Sequence, residues 1–256
     1  MRVAILGCGV MGSAFARQLS LHGHQVILCD RNQEKTEALV KELECTFARE
    51  PKEAVAQAEF ILLAIKPKDL KGLDLGTLDG HIVMSILVGT TAGELKRAFK
   101  GAFVIRSMPN LALRCGESVI ALVEDADLSE EVVVKVEHLL KGLGLIFWTQ
   151  EEKIDAITAL AGSGPAFVIA VMEAMIESGI AMGLRADEAK ELVLQTLLGA
   201  VALLKAEKGH PGAVRWQIAA PGGTTIAGMK AFEEQGVRAG IMHTILATFE
   251  RTKEIG

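Results

Sequence analysis

The chain has no tyrosine, two tryptophans and 4% aromatic residues among its 256. So few flat rings cannot build a base-stacking platform, and a formal net charge of −5 leaves no basic excess to track nucleic acid. Cysteine is sparse: Cys8, Cys29, Cys45 and Cys115 all fall in the first half and form no CxxC pair. Zinc spacings and a disulfide framework are thereby excluded, no metal is expected, and reduced thiols in the cytoplasm are the simplest reading. Proline is scarce at 6 residues, and there is no internal repeat or low-complexity tract. Long apolar runs are missing too. Ala156 to Met172 is too short to span a bilayer, and its Gly162-Ser163-Gly164-Pro165 should break a helix. The opening MRVAILGCGVMGSA has the look of a signal core, but its glycines fit a strand and turn better. A soluble protein without membrane contact is expected.

What is present is a large core. Apolar residues make up 50% of the chain and charged residues 23%, a globular balance. At about 150 residues per domain, the length suggests one large or two modest domains.

The first half alternates short β-branched runs with helical patterns. Strands are expected at Arg2–Leu6, Gln25–Cys29, Phe60–Ala64, His81–Leu87, Ala102–Arg106 and Ser118–Val123, with weaker ones at Glu44–Phe47 and Leu145–Phe147. Ser13–His22, Gln33–Leu43 and Pro51–Gln57 are long enough for crossover helices. The pattern implies an α/β fold whose parallel sheet is covered on both faces. From about Glu151 no convincing strand remains, and long helical patterns run over Pro165–Met182, Asp187–Lys208 and Val237–Lys253. The expected organisation is a doubly wound, Rossmann-type domain over 1–150 and an all-helical domain over 151–256. In the second helical pattern Leu192, Leu194, Leu197, Leu198, Val201 and Leu204, with Leu203 beside them, form a face too broad for one neighbour. A partner helix or a second subunit could cover it.

Gly7-Cys8-Gly9-Val10-Met11-Gly12 is a GxGxxG turn that follows an apolar strand and opens an amphipathic helix. The first glycine permits the tight turn, the second lets a pyrophosphate approach the backbone, and the third lets helix and strand pack closely. Asp30 ends the second strand, 18 residues past Gly12, where an acid accepts from ribose hydroxyls. Asp30-Arg31-Asn32 would also cap the next helix. Asp30 disfavours a 2′-phosphate and so favours NAD, whereas Arg31 could grip that phosphate, so both NAD and NADP stay open. Ala64-Ile65-Lys66-Pro67 lies at the carboxyl end of another strand, where Lys66 would lie along the cofactor or simply be solvated. Leu87 and Val88 could pack near a nicotinamide. Asn110, after Arg106-Ser107-Met108-Pro109, could orient an amide or form a turn.

In the second half Ala219-Ala220-Pro221-Gly222-Gly223-Thr224-Thr225 interrupts the helical pattern. A Gly-rich turn opening a helix offers N–H groups to an anion, and either threonine could equally be the N-cap.

These segments together resemble the pyrroline-5-carboxylate reductase family. ILGCGVMGSAF, LLAIKP, VIRSMPN, ITALAGSGPAF and HPGAVRWQIAAPGGTTIAGMKAFEE stand in the family's order from residue 3 to about 235, and the last is the most specific. The resemblance implies a Rossmann domain followed by a helical dimerisation domain whose helices intertwine between subunits, with dimers assembling into rings. It implies reduction of 1-pyrroline-5-carboxylate to L-proline with NADH or NADPH. It also places Thr225 beside the substrate nitrogen, the backbone of Gly223 and Thr224 at the carboxylate, and Ser163, Gly164 and Pro165 at the site's floor near the nicotinamide. Two departures stand out. Ala220 replaces a common serine, removing a hydroxyl contact to the carboxylate. Lys208 stands where some relatives carry an acid, so a contact there would change sign. His210 reads as a turn former before Pro211 rather than a base, since no carboxylate partner is evident. A β-hydroxyacid dehydrogenase, similar in domain order, would need a lysine on the first long helix after the linker, and none lies between Lys153 and Lys190.

Overall fold

The computed structural model describes residues 1–255. Packing divides the chain into two units: Met1–Ser163 with the chain from Phe249 on, and Gly164–Thr248.

The first unit is built on an eight-stranded sheet in the order β3-β2-β1-β4-β5-β6-β7-β8. The strands are β1 (Arg2–Leu6), β2 (Gln25–Cys29), β3 (Thr46–Phe47), β4 (Phe60–Leu63), β5 (Ile82–Ser85), β6 (Phe103–Pro109), β7 (Ser118–Val123) and β8 (Gly144–Thr149). All neighbours are parallel except β6 and β7. Strand order reverses between β1 and β4, the switch point at which doubly wound sheets open a ligand crevice.

Burial explains why the strands read as continuous apolar runs. Val3, Ile5, Phe60 and Leu62 point into one core, and Ala4, Leu6, Ile61 and Leu63 into another. The first core is closed by α1 (Val10–Leu21), α2 (Gln33–Leu43) and α5 (Glu130–Leu140), through Phe15, Leu19, Leu39, Val136 and Leu139. The second is closed by α3 (Pro51–Ala56) and α4 (Ala92–Ala98), through Ala54, Val55 and Leu95. Each fully buried Leu, Ile or Phe contributes about 1.5–3 kcal/mol.

β6 is longer than its β-branched run suggests. Its first half pairs parallel with β5, and Ser107–Pro109 turn to pair antiparallel with β7. The short α6 (Ile154–Ile157) follows β8 and tucks Ile154 against Ala121 and Val123 of β7. The packing division accordingly leaves α6 with the sheet and falls at Ser163. Gly162-Ser163-Gly164-Pro165 also does not stop the helix as expected. A π-helical turn over Thr158–Gly162, closed by Ser163 N–H to the Thr158 carbonyl at 2.9 Å, leads into α7 (Gly164–Ala181). Pro165 sits in the first turn of α7, where its missing N–H costs nothing. The nearly continuous run Glu151–Ala181 is by length and composition apolar enough to cross a membrane.

The second unit is helical: α7, α8 (Ala186–Glu207), α9 (Pro211–Ile218), α10 (Thr224–Glu234) and most of α11 (Val237–Ile255). Gly179 lets α7 and α8 approach; a Cβ there would lie 2.9 Å from that of Ala189. The unit's buried apolar side chains are Ala189, Val193 and Val214. Leu192, Leu194, Leu198, Val201, Leu203 and Leu204 are exposed on α8, as are Val168 and Ile169 on α7 and Met242 and Leu246 on α11. Apolar faces this wide, on a unit with so little core of its own, are of the kind that mark an interaction surface.

Candidate functional site

The turn after β1 has the three-glycine geometry expected. Gly7 has φ +103°, and a Cβ on it would lie 2.5 Å from the Ala64 carbonyl oxygen at the end of β4. A Cβ on Gly12 would lie 1.8 Å from the Gly7 carbonyl oxygen. Both glycines are therefore demanded by the protein itself. Gly9 is different: a Cβ there meets no atom within 4 Å. The fold leaves that space open, and it lies at the N-terminus of α1, where Gly9 is the cap and makes no side-chain hydrogen bond. Helix-end N–H groups and partial positive charge face it. Gly9 and Val10 are exposed and Met11 is half-buried. Open space at a helix N-terminus is an arrangement that can receive an anion.

Asp30 follows β2 and closes the turn from the side. Its Oδ2 accepts from the Cys8 N–H at 2.6 Å and its Oδ1 from the Asn32 N–H at 2.8 Å. Capping of α2 falls to Asn32, whose Oδ1 accepts from the Lys35 N–H at 3.0 Å. Cys8 contributes backbone only, for its thiol is buried and burial pushes its pKa up to about 11. The guanidinium of Arg31 is paired with Asp69 at 2.7 Å. Asp69 ends a 3-10 turn, Pro67–Asp69, that follows β4 and carries no motif in the sequence. Ala64 and Ile65 are half-buried, Lys66 and Pro67 exposed, all at the carboxyl ends of β1 and β4.

Two of the expected cofactor residues, Leu87 and Asn110, are also part of the fold's own packing. Leu87 is buried in the second core, whereas Val88 is exposed; both border a narrow pocket with Ser107 and Met108. Asn110 is buried, and its side chain is committed. Its Nδ2 donates to the Ala161 carbonyl at 2.9 Å, and its Oδ1 accepts from the Ala112 N–H at 3.1 Å and the Ser118 hydroxyl at 3.2 Å. It clasps the π-turn to the end of β6. Arg106 pairs at 2.8 Å with Glu151, whose Oε1 also accepts from the Ala92 N–H and holds the start of α4. No group of three His, Cys, Asp or Glu that could hold a metal occurs among the described residues, and all four cysteines are free.

In the helical unit, the Pro-Gly-Gly segment is a turn closed by the Gly223 N–H to the Ala220 carbonyl at 3.0 Å, with Gly222 at φ +68°. Gly223 itself caps α10. Thr224 and Thr225 are thus the first two helical residues, not the cap, and their N–H groups belong to the unpartnered first turn. Thr224 is exposed and Thr225 half-buried. Because the Gly223 N–H is spent in the turn, the Thr224 and Thr225 amides are the donors left at this helix end. Ser163 ends the π-turn, and Gly164 and Pro165 open α7; all three are half-buried. Lys208 is exposed and holds φ +48° at the C-cap of α8, a backbone role. His210 caps α9 by accepting the Gly212 N–H at Nδ1, 3.0 Å away.

Two family profiles match the chain. One described as pyrroline-5-carboxylate reductase dimerisation covers residues 151–255, and one described as NADP oxidoreductase, coenzyme F420-dependent, covers residues 2–89. The sequence is 36% identical over 260 residues to the pyrroline-5-carboxylate reductase of Aquifex aeolicus, covering 100% of this chain and 97% of the relative. The solved 1-pyrroline-5-carboxylate reductase of Streptococcus pyogenes is similar at TM-score 0.88 and 29% identity, covering 99% of this chain and 98% of that one. That of Coxiella burnetii is similar at TM-score 0.89 and 25% identity, covering 99% and 98%.

Proposed function

Since this chain belongs to the pyrroline-5-carboxylate reductase family, we propose that it reduces 1-pyrroline-5-carboxylate to L-proline with NADH or NADPH, the last step of proline biosynthesis. The observation that carries this reading is the glycine turn: the protein forbids a side chain at Gly7 and Gly12 and keeps the space at Gly9 clear. When bound, the reduced dinucleotide supplies a hydride from carbon 4 of its nicotinamide.

The chain's own residues then have three tasks. Gly9, Val10 and the start of α1 hold the pyrophosphate, and Asp30 faces the ribose while keeping the turn in shape through the Cys8 N–H. Its charge favours NADH. The Thr224 and Thr225 amides, at the positive end of α10, receive the substrate carboxylate. The Thr225 hydroxyl hydrogen-bonds the ring nitrogen. A protonated imine accepts hydride better than a neutral one: the new C–H bond takes the hydride pair, the C=N π pair moves to nitrogen, and nitrogen keeps its proton. Ser163, Gly164 and Pro165 supply the floor of the substrate site. Orientation and fixed dipoles carry the acceleration, and no strong acid or base is required.

A small cyclic imine and a second copy of the chain are the partners. The apolar faces of α7, α8 and α11 become a dimer core, with rings of dimers as a further assembly. The same cover, rather than lipid, accounts for the apolar Glu151–Ala181 run. The work is assigned to the cytoplasm, a reading supported by a water-soluble substrate and cofactor and by four free cysteines.

The test is isotopic. Cofactor carrying deuterium at both positions of carbon 4 should leave one deuterium on the proline ring carbon that was double-bonded to nitrogen. Deuterium-free proline, or none formed, contradicts the proposal.

A further inference from the structure

The end of the sheet carries a salt bridge that the cofactor cradle does not need for its own shape. β2 and β4 flank β1, so about 10 Å of sheet separates their ends. Arg31 after β2 and Asp69 after β4 nevertheless meet at 2.7 Å, joining the two sides of the crevice across the end of β1. The two partners are unequal. The Asp69 side chain is 19% exposed and held by its turn, whereas Arg31 is 81% exposed. Asp69 is the fixed post and Arg31 the movable arm.

Arg31 stands next to Asp30, the residue placed at the ribose. A free guanidinium there would bind a 2′-phosphate bidentately and offset the Asp30 charge. In this chain that guanidinium already has a carboxylate. A 2′-phosphate must take it from Asp69, leaving Asp69 unpaired, and must do so beside two carboxylates, Asp30 and Asp69. A 2′-hydroxyl makes no such demand. We infer that Asp69 is a specificity-determining residue that withholds Arg31 from the 2′-phosphate and so tilts the enzyme toward NADH. Lys66 and Lys68, on the same stretch as Asp69, are exposed. Neither takes the place of Arg31, because neither adjoins Asp30.

This inference rests on the dinucleotide reading of the crevice, and its test keeps the two apart by using fragments without nicotinamide. Titration calorimetry on the full-length protein would measure 5′-ADP and 2′,5′-ADP binding. Asp69→Asn should strengthen 2′,5′-ADP about tenfold, the scale of one charge-assisted hydrogen bond, and change 5′-ADP less than about twofold. Asp69→Glu, which can re-form the bridge, should stay near wild type. In an Arg31→Ala background the Asp69→Asn gain should shrink below about twofold. Asp69→Ser serves if the asparagine variant fails to fold. An equal gain without Arg31 would overturn the inference, because Asp69 would then act by bare repulsion. No gain in either Asp69→Asn or Asp69→Ser would also overturn it. If the wild type binds neither fragment, the dinucleotide reading itself fails and takes this inference with it.

Discussion

Replacing each of two glycines by alanine separates what the fold needs from what the ligand needs. At Gly12 the new methyl would sit 1.8 Å from the Gly7 carbonyl oxygen, a backbone atom that cannot swing aside. α1 must move off the β1–β4 ends. Overpacking of this kind costs ~3 kcal/mol at the upper end of its usual range, and the gain in helix propensity offsets about 1 kcal/mol. A net loss of ~2 kcal/mol lowers Tm by roughly 4–8 °C in a chain of this size. At Gly9 the backbone has φ −68° and ψ −166°, which any residue adopts, and no atom lies within 4 Å. The reduced freedom of the unfolded chain, about 0.4–1 kcal/mol, roughly balances the poorer cap. Gly9→Ala should therefore melt within about 2 °C of wild type. Its methyl occupies the pyrophosphate's approach, so the NADH dissociation constant should rise at least about tenfold, which corresponds to ~1.4 kcal/mol. Thermal unfolding at matched protein concentration and calorimetric titration measure both. If Gly9→Ala melts as early as Gly12→Ala, or binds NADH like wild type, the open space is not the cofactor's and the reasoning is wrong.

Four further outcomes are expected. Thr225→Ala should lower kcat/KM about 10²-fold while NADH binding is kept, as expected for a donor acting on the transition state; unchanged kinetics would remove Thr225 from the reaction. Ala220→Ser should lower the KM for the imine severalfold by restoring a hydroxyl at the carboxylate turn, which steady-state kinetics reads directly. Leu198 is 65% exposed on α8, and Leu198→Glu should leave monomers by light scattering, because burial of one leucine is worth about 1.5–3 kcal/mol and symmetry counts it twice. The fourth concerns pH. Burial, and next the N-terminal charge, His138 and His22, hold His24 below the ordinary histidine pKa. The folded state then binds fewer protons than the unfolded state below about pH 6.5. Stability should fall as pH drops through that window toward the folded pKa and be unaffected above it, and His24→Gln should flatten that part of a urea-midpoint profile against pH.

Much of this was legible in the residues because the information is local. β1, β2 and β4 read clearly since both faces of each are buried, leaving unbroken apolar runs. The glycine turn read clearly because close approach admits no other residue at Gly7 and Gly12. What did not read depends on tertiary partners. Glu130–Leu140 is helical although its Val132-Val133-Val134 run favours strand, because Val132, Val136, Leu139 and Leu140 close one core at helical spacing. The continuation of β6 to Pro109 depends on an antiparallel partner, β7, that no local pattern announces. The hydrogen bonds of Asn110 to Ala161, Ala112 and Ser118, and of the Gly223 N–H to Ala220, likewise depend on partners that the local pattern does not announce. Asp69 was overlooked because its meaning comes only from Arg31, 38 residues away in sequence.

A chain of this family with its dinucleotide bound should turn a cyclic imine into proline. The most direct measurement is the initial rate of NADH and then NADPH oxidation by the purified protein with 1-pyrroline-5-carboxylate, followed by near-ultraviolet absorbance, with the product separated and identified. Saturable oxidation with one L-proline formed per cofactor consumed, faster at limiting NADH than at limiting NADPH, is the predicted result. Tight cofactor binding with no proline formed from either cofactor would contradict the account.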